Sequence, residues 1–155
     1  MELTLQFAGV LQSWGIPEYA MSQRRTASLP THSAICGLIG NAMGLCREDE
    51  KELEEIKNKV SIVSADSRDR VCKIIDDQIV GMNGNKREAA DGSMIDQPYP
   101  MVHKEYVQDN DFTVVISGED SFMQTVKEAL LKPKRPLHLG RKCCTGYMPV
   151  LKEGE

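Results

Sequence analysis

The chain has 155 residues, 41% of them hydrophobic and 27% charged, with a formal net charge of −4, enough for one compact domain rather than several. No apolar run approaches the roughly 18 residues of a transmembrane helix and Met1-Glu2-Leu3 lacks the basic opening of a signal peptide, so no membrane partner and a cytoplasmic location are expected. Five cysteines with neither framework nor C-x-x-C spacing argue against a disulfide scaffold and a zinc site.

Leu3, Leu5 and Phe7 alternate with Thr4 and Gln6 over residues 2–8, the pattern of a strand with one buried face. Residues 9–30 mix Gly, Pro, Ser and charges without a period and read as a long loop. It carries Gln12-Ser13-Trp14-Gly15 and Arg24-Arg25-Thr26. Trp14, the single tryptophan, either stacks on a base or anchors the loop on the core. The Arg24-Arg25 pair is either a set of phosphate donors or a solvated surface pair. Pro30-Thr31-His32-Ser33 then opens a helix over 34–45, with Thr31 or Ser33 as N-cap. The unpaired N–H groups of such an end favour an anion, although the same residues make an ordinary cap. Gly37, Gly40 and Gly44 lie three and four apart, and because glycine is a poor helix former they predict close packing of that helix on a sheet or another backbone.

Residues 48–58 read as an acidic amphipathic helix with Leu53 and Ile56 inward, and 60–65 and 70–75 as strands. From Asp76 to Pro100 the chain is polar, with Gly81, Gly84, Gly92 and Pro98. That stretch is too long for a plain turn and predicts a protruding hairpin or mobile insertion. Residues 111–117 form a strand, 120–131 a helix with Phe122, Val126, Ala129 and Leu130 inward, and 136–139 a last strand. Apart from the extra helix and the insertion, this order approximates the βαββαβ pattern of α+β ferredoxin-like, RRM-like domains. That class supports RNA-binding sheets but does not by itself set function.

Charge is unevenly spread. Glu48, Asp49, Glu50, Glu52, Glu54 and Glu55 crowd one helix, whereas Lys132, Lys134, Arg135, Arg141 and Lys142 fall in a segment with no acid. Gly140-Arg141-Lys142 combines a residue that permits close backbone approach with two phosphate donors, or is a solvated turn. An acidic face with a basic path fits a subunit that binds RNA inside a complex rather than a free-standing nucleic-acid binder. His32, His103 and His138 come from three separate elements and mark no acid–base constellation. There is no G-x-x-x-x-G-K-(S/T), G-x-G-x-x-G or H-E-x-x-H, so no catalytic residue, cofactor or metal is expected.

Taken in order, these segments resemble the CRISPR-associated protein 5 family in its type I-E form, within the RAMP superfamily. Leu3 to Gly15 resembles L-x-L-x-G-P-L-Q-(S/A)-W-G, with Val10 in place of proline. Arg25-Thr26 and Pro30 to Gly44 resemble an arginine-threonine loop followed by P-T-(K/R)-S-G-(L/I)-x-G-L-(L/I)-x-x-x-L-G, with His32 for the base and Ala34 for glycine. Arg47-Glu48-Asp49 resembles R-x-D, Glu105 to Val114 resembles R-x-Y-L-x-D-A-x-F-x-V, and Ala129 to Pro133 with Leu139 to Cys144 resembles A-L-x-x-P and L-G-R-(R/K)-S-C.

The resemblance implies a ferredoxin-like RNA-binding domain over 1–155 with a protruding thumb at about 76–100. It implies a non-catalytic subunit of the Cascade effector complex of antiviral defence, capping the 5′ handle of CRISPR RNA. The backbone and large subunits, and target DNA within the complex, are its further expected partners. The handle contacts it implies are Trp14, Arg24, Arg25, His32, Arg141 and Lys142. Family members usually continue for several tens of residues beyond the Gly140-Arg141-Lys142 turn, so the resemblance is to a short form. Two alternative activities remain open: metal-independent cleavage of precursor CRISPR RNA, and a structural plug or decoy of the complex.

Overall fold

The computed structural model describes residues 1–16, 23–79, 87–88, 92–95 and 101–152. Its architecture is a mixed sheet and three helices around one core. Strand β1 (Glu2–Gln12) lies antiparallel along β7 (Met101–Ser117), from Glu2 opposite Ser117 to Gln12 opposite Val107. The other edge of β7 is shared. Strand β3 (Ser61–Ser67) pairs with its C-terminal half and β4 (Cys72–Ile79) with its N-terminal half. A two-residue strand β2 (Gln23–Arg24) adds in parallel at His103 and Lys104. The far edge of β1 is lined by residues 147–152: Tyr147 N–H donates to the Ala8 carbonyl, Gln6 N–H to Val150 and Lys152 N–H to Thr4.

Helix α1 (His32–Met43) and helix α3 (Asp120–Leu131) cover one face of this sheet, and α2 (Glu50–Lys59) packs on α1. The period-2 pattern of β1 buries Leu3, Leu5 and Phe7, and that of β7 buries Phe112, Val114 and Ile116. Against them α1 places Ile35, Ile39 and Ala42, and α3 places Met123, Val126 and Leu130. Burying such aliphatic and aromatic side chains contributes about 1.5–3 kcal/mol each relative to exposure. Among the described residues no helix is long and apolar enough to cross a membrane, and no three His, Cys, Asp or Glu gather as metal ligands.

Several expected boundaries move. Strand β1 runs to Gln12 instead of stopping at residue 8, because the ladder with β7 continues through Gly9. Strand β7 starts at Met101 instead of 111, because β4 supplies a partner for its polar first half. Asp109 within it has φ +44° and marks the point where β7 changes partner from β4 to β3. The expected last strand at 136–139 is absent. Pro136 has no N–H for a ladder, and Leu137 and Leu139 are buried as core plugs, while residues 147–152 take the edge of β1.

The three helix glycines do not share one packing role. Gly40 meets Leu53 of α2, Gly44 is the left-handed C-cap at φ +83°, and Gly37 faces open space. Of the expected insertion, Asp76–Ile79 belongs to β4, and β5 (Arg87–Glu88) pairs antiparallel with β6 (Met94–Ile95). Apart from Gly92 and Ser93, which lead into β6, the rest of that stretch lies outside the described residues.

The five cysteines are free thiols. Cys36 and Cys144 are buried, and burial pushes each thiol up to about 11, so both stay protonated at neutral pH. Cys46, Cys72 and Cys143 are exposed. Iodoacetamide at pH 7.5 is therefore expected to label those three in the native protein and to reach Cys36 and Cys144 only after denaturant is added. Peptide mass spectrometry reads the pattern, and native labelling of either buried cysteine at the rate of the exposed three would contradict this core.

Candidate functional site

The end of β1, the start of α1 and the turn at 138–142 enclose a groove of about 710 Å³. Three backbone devices build it. Ser13 N–H donates to the Leu139 carbonyl at 2.9 Å, and Leu139 N–H to Cys144 at 2.8 Å. Gly140, at φ +97°, then crosses so close to Ser13 that a Cβ there would sit 1.7 Å from the Ser13 carbonyl oxygen. On the other side Thr26, buried, ties down the loop that holds Arg24 and Arg25. Its hydroxyl accepts from Trp14 N–H at 2.7 Å and its own N–H donates to the Glu105 carboxylate at 3.2 Å. Its carbonyl accepts from Lys73 Nζ at 2.6 Å.

Arg24, Arg25, Arg141 and Lys142 line the groove, and among its described lining residues there is no carboxylate. These four lie on two loops far apart in sequence, and the fold brings them together. The acidic side chains of the 47–55 run lie elsewhere, on and beside α2, where Glu54 pairs with Lys57 and Glu55 with Lys59. An anionic ligand in the groove therefore meets like-signed cations on more than one wall, an arrangement that raises the local concentration of a polyanion.

The four cations are not equivalent. The Arg141 guanidinium donates to the Glu105 carbonyl at 2.7 Å and to the Arg24 carbonyl at 2.8 Å, and it lies 4.6 Å from the Tyr106 ring centroid. Hydrogen bonds from a charged donor contribute about 1.5–3 kcal/mol each, so Arg141 is first a cross-link between the 138–142 turn, β7 and the arginine loop. Burial raises the Tyr106 hydroxyl above its ordinary 10.0, so the platform beneath Arg141 stays neutral. Arg24 and Lys142 are exposed and, among the described residues, neither side chain pairs with a carboxylate. Arg25 also donates to Gln23 Oε1 at 3.2 Å.

Two of the expected contact residues are placed elsewhere. Trp14 is 1% exposed, with its ring 5.2 Å from Phe7 and edge-on to Phe112 at 6.2 Å. Its aromatic faces are spent on the core, so it anchors the loop and offers no stacking surface. His32 is the first residue of α1, but its Nε2 lies 2.7 Å from the Val60 carbonyl and 3.5 Å from Cys36 Sγ. Its ring is thus turned toward the junction with β3 and does not line the groove. Thr31 caps the helix, its Oγ1 accepting from Ala34 N–H.

The basic run also divides. Lys134 packs over Gly44, and Arg135 donates to the Leu45 carbonyl at 2.9 Å. Both therefore serve the C-terminal end of α1, where cations and carbonyl partners are favourable. Sequence reasoning missed Gly37 and Asn41 as site residues; with Ser33 they lie one turn apart on the groove side of α1. Their only sequence signal was a glycine in mid-helix. A smaller adjoining cleft of about 260 Å³ continues past Arg24 and Arg25 to Ile75 and His103.

Residues 2–155 match the family described as CRISPR-associated protein (Cas_Cas5). The chain is 29% identical to the CRISPR system Cascade subunit CasD of Escherichia coli (strain K12) over 160 aligned positions, covering 96% of this chain and 68% of that protein. Its fold is similar to a chain of a solved CRISPR RNA-guided surveillance complex, with TM-score 0.79 and 25% identity, covering 97% of this chain and 62% of that one. A crystal structure of a Cas protein matches with TM-score 0.56 and 23% identity over 100% of this chain and 67% of its own. The chain thus spans about two thirds of the length of these relatives.

The crossing at Gly140 sets the stability of the groove. Gly140→Ala forces an L side chain into a left-handed conformation and drives its Cβ into the Ser13 carbonyl. We expect a loss of more than about 2 kcal/mol in urea denaturation. An unchanged midpoint would show that the turn does not cross β1 in this way.

Proposed function

The chain belongs to the CRISPR-associated protein (Cas_Cas5) family, in its type I-E branch, and from that membership we propose that it is the Cascade subunit that grips the 5′ handle of CRISPR RNA. The observation that carries this reading is the groove with Arg24, Arg25, Arg141 and Lys142 on its walls and no carboxylate among its described lining residues. Phosphates would sit against Arg24 and Lys142, fixing register, while Arg141 holds the walls together. Unstacked bases would supply sequence preference. The net charge of −4 suits a protein that binds RNA at one local site within an assembly.

We read the sheet as ferredoxin-like, and that reading fits the same role. Residues 147–152, β1, β7 and the β3/β4 pair lie side by side in that order, which is the edge-to-edge order of a βαββαβ sheet. The β4–β7 ladder runs past the end of β1 at Gln12↔Val107 out to Ile79↔Met101, and in the sequence between these two strands β5 pairs with β6. We assign this extension to a thumb that reaches the backbone subunit, with the large subunit and target DNA as further neighbours within the complex.

We propose that the chain holds RNA and does not cut it. Of its three histidines only His138 lines the groove, while His32 faces the Val60 carbonyl and His103 pairs with Asp77 at 2.5 Å. A general acid and a general base on one scissile phosphate need two such groups within reach.

The test is to purify a tagged chain together with the other Cascade subunits and a CRISPR RNA, and to sequence the ends of the retained RNA. One copy per complex protecting a defined 5′ handle is the expected result; RNA with random 5′ ends, or no RNA, would overturn the reading. With Arg24 and Lys142 both changed to Ala, handle affinity should fall and the slope of log K against log salt should flatten by about 1 to 1.5, roughly 0.7 per lost phosphate contact. The melting temperature should stay unchanged, because neither side chain supports the fold.

A further inference from the structure

The floor of the groove has a different chemistry from its rim. It is the face of α1 that carries Ser33, Ala34, Gly37, Leu38 and Asn41, with Ile16 opposite. In mid-helix the Gly37 N–H is committed to the helix ladder, so at Gly37 the floor offers no backbone donor to a phosphate. Here a helix face meets the groove as bare backbone, since a Cβ built on Gly37 would have nothing within 4 Å. A flat apolar surface one residue wide, with polar side chains one turn to either side, suits the face of a planar ring better than a charged group.

Asn41 strengthens that reading. Its Nδ2 donates to the Pro136 carbonyl at 2.7 Å. A carbonyl can only accept, so the amide orientation is fixed, and Asn41, which lines the groove, keeps its Oδ1 as an acceptor. The Ser33 hydroxyl, exposed at the other end of the strip, can donate or accept. Across the space stands the arginine loop, and a guanidinium plane is a recognised partner for the second face of an unstacked base.

We propose that the groove contains a base subsite. One unstacked nucleobase of the bound strand packs on α1 at Gly37, its edge read by Asn41 Oδ1 and the Ser33 hydroxyl, while the flanking phosphates lie on the cationic rim. This inference rests on the RNA-gripping role proposed above and adds to it the place where one base is held.

The test uses the assembled complex carrying a CRISPR RNA with 2-aminopurine placed at each handle position in turn, for the native chain and for Gly37→Leu. In the native complex one position, or two neighbours, should show an emission unlike the others. In Gly37→Leu that signature should vanish while the RNA is retained. Identical emission profiles in the two complexes would overturn the subsite and leave the RNA-gripping role standing. Loss of all RNA from the native complex would overturn both.

Gly37→Ala provides a second readout should the leucine variant fail to assemble. Its methyl enters open space, so the melting temperature should hold or rise with helix propensity, yet handle affinity should drop roughly tenfold, within the range that losing one base-packing contact costs. Unchanged affinity with Gly37→Ala would count against the subsite.

Discussion

The rest of this structure depends on one crossing of the chain over itself. The turn at 138–144 passes the end of β1 at Ser13, at a separation that only a residue without a Cβ allows. The crossing is held by Ser13 N–H on Leu139, by Leu139 N–H on Cys144, and by the forked contacts of Arg141 with Glu105 and Arg24. It fixes the distance between the two loops that carry the cations. Leu137 and Leu139 drop into the core beneath it, so the position of the basic turn is coupled to hydrophobic burial as well as to hydrogen bonds.

That coupling assigns unlike roles to like residues. Surface ion pairs such as Glu55 with Lys59 contribute little, about 0–1 kcal/mol. A half-buried guanidinium with two carbonyl acceptors and an aromatic neighbour contributes considerably more. Arg141 is therefore a cation that the groove needs for its shape, whereas Arg24 and Lys142 are cations that it presents. Thr26 acts on the opposite wall as Arg141 does on this one: it engages Trp14, Glu105 and Lys73 at once, so the arginine loop keeps its place although it contains only two residues of strand.

Much of the fold was legible in the sequence, because period-2 and period-3.6 patterns report burial directly. Leu3, Leu5 and Phe7 marked β1, and Phe112, Val114 and Ile116 marked the buried half of β7. The first half of β7 was not legible, since its polar run becomes a strand only when β4 lies beside it. The segment 136–139 misled in the opposite sense: Leu137 and Leu139 alternate, but they fill a core rather than a ladder. Within the site, Arg24, Arg25, Arg141 and Lys142 were visible as cations near turns, and the structure brings all four to one groove. Trp14 and His32 were visible as residue types but not as orientations. The ring of Trp14 is claimed by Phe7 and Phe112, and that of His32 by the Val60 carbonyl. Gly37 and Asn41 could not be found from composition, because an open helix face is a property of what surrounds it.

The charge distribution completes the account. The acidic run at 47–55 is placed on and beside α2, away from the groove, while Arg24, Arg25, Arg141 and Lys142 gather on the groove walls. The most direct measurement is ultraviolet cross-linking of the assembled complex with CRISPR RNA, followed by mass spectrometry of the cross-linked peptides. The account predicts adducts from handle nucleotides on the peptides containing Arg24–Arg25 and Lys142, and none on the α2 peptide. Adducts on α2, or adducts drawn only from the guide region of the RNA, would contradict it.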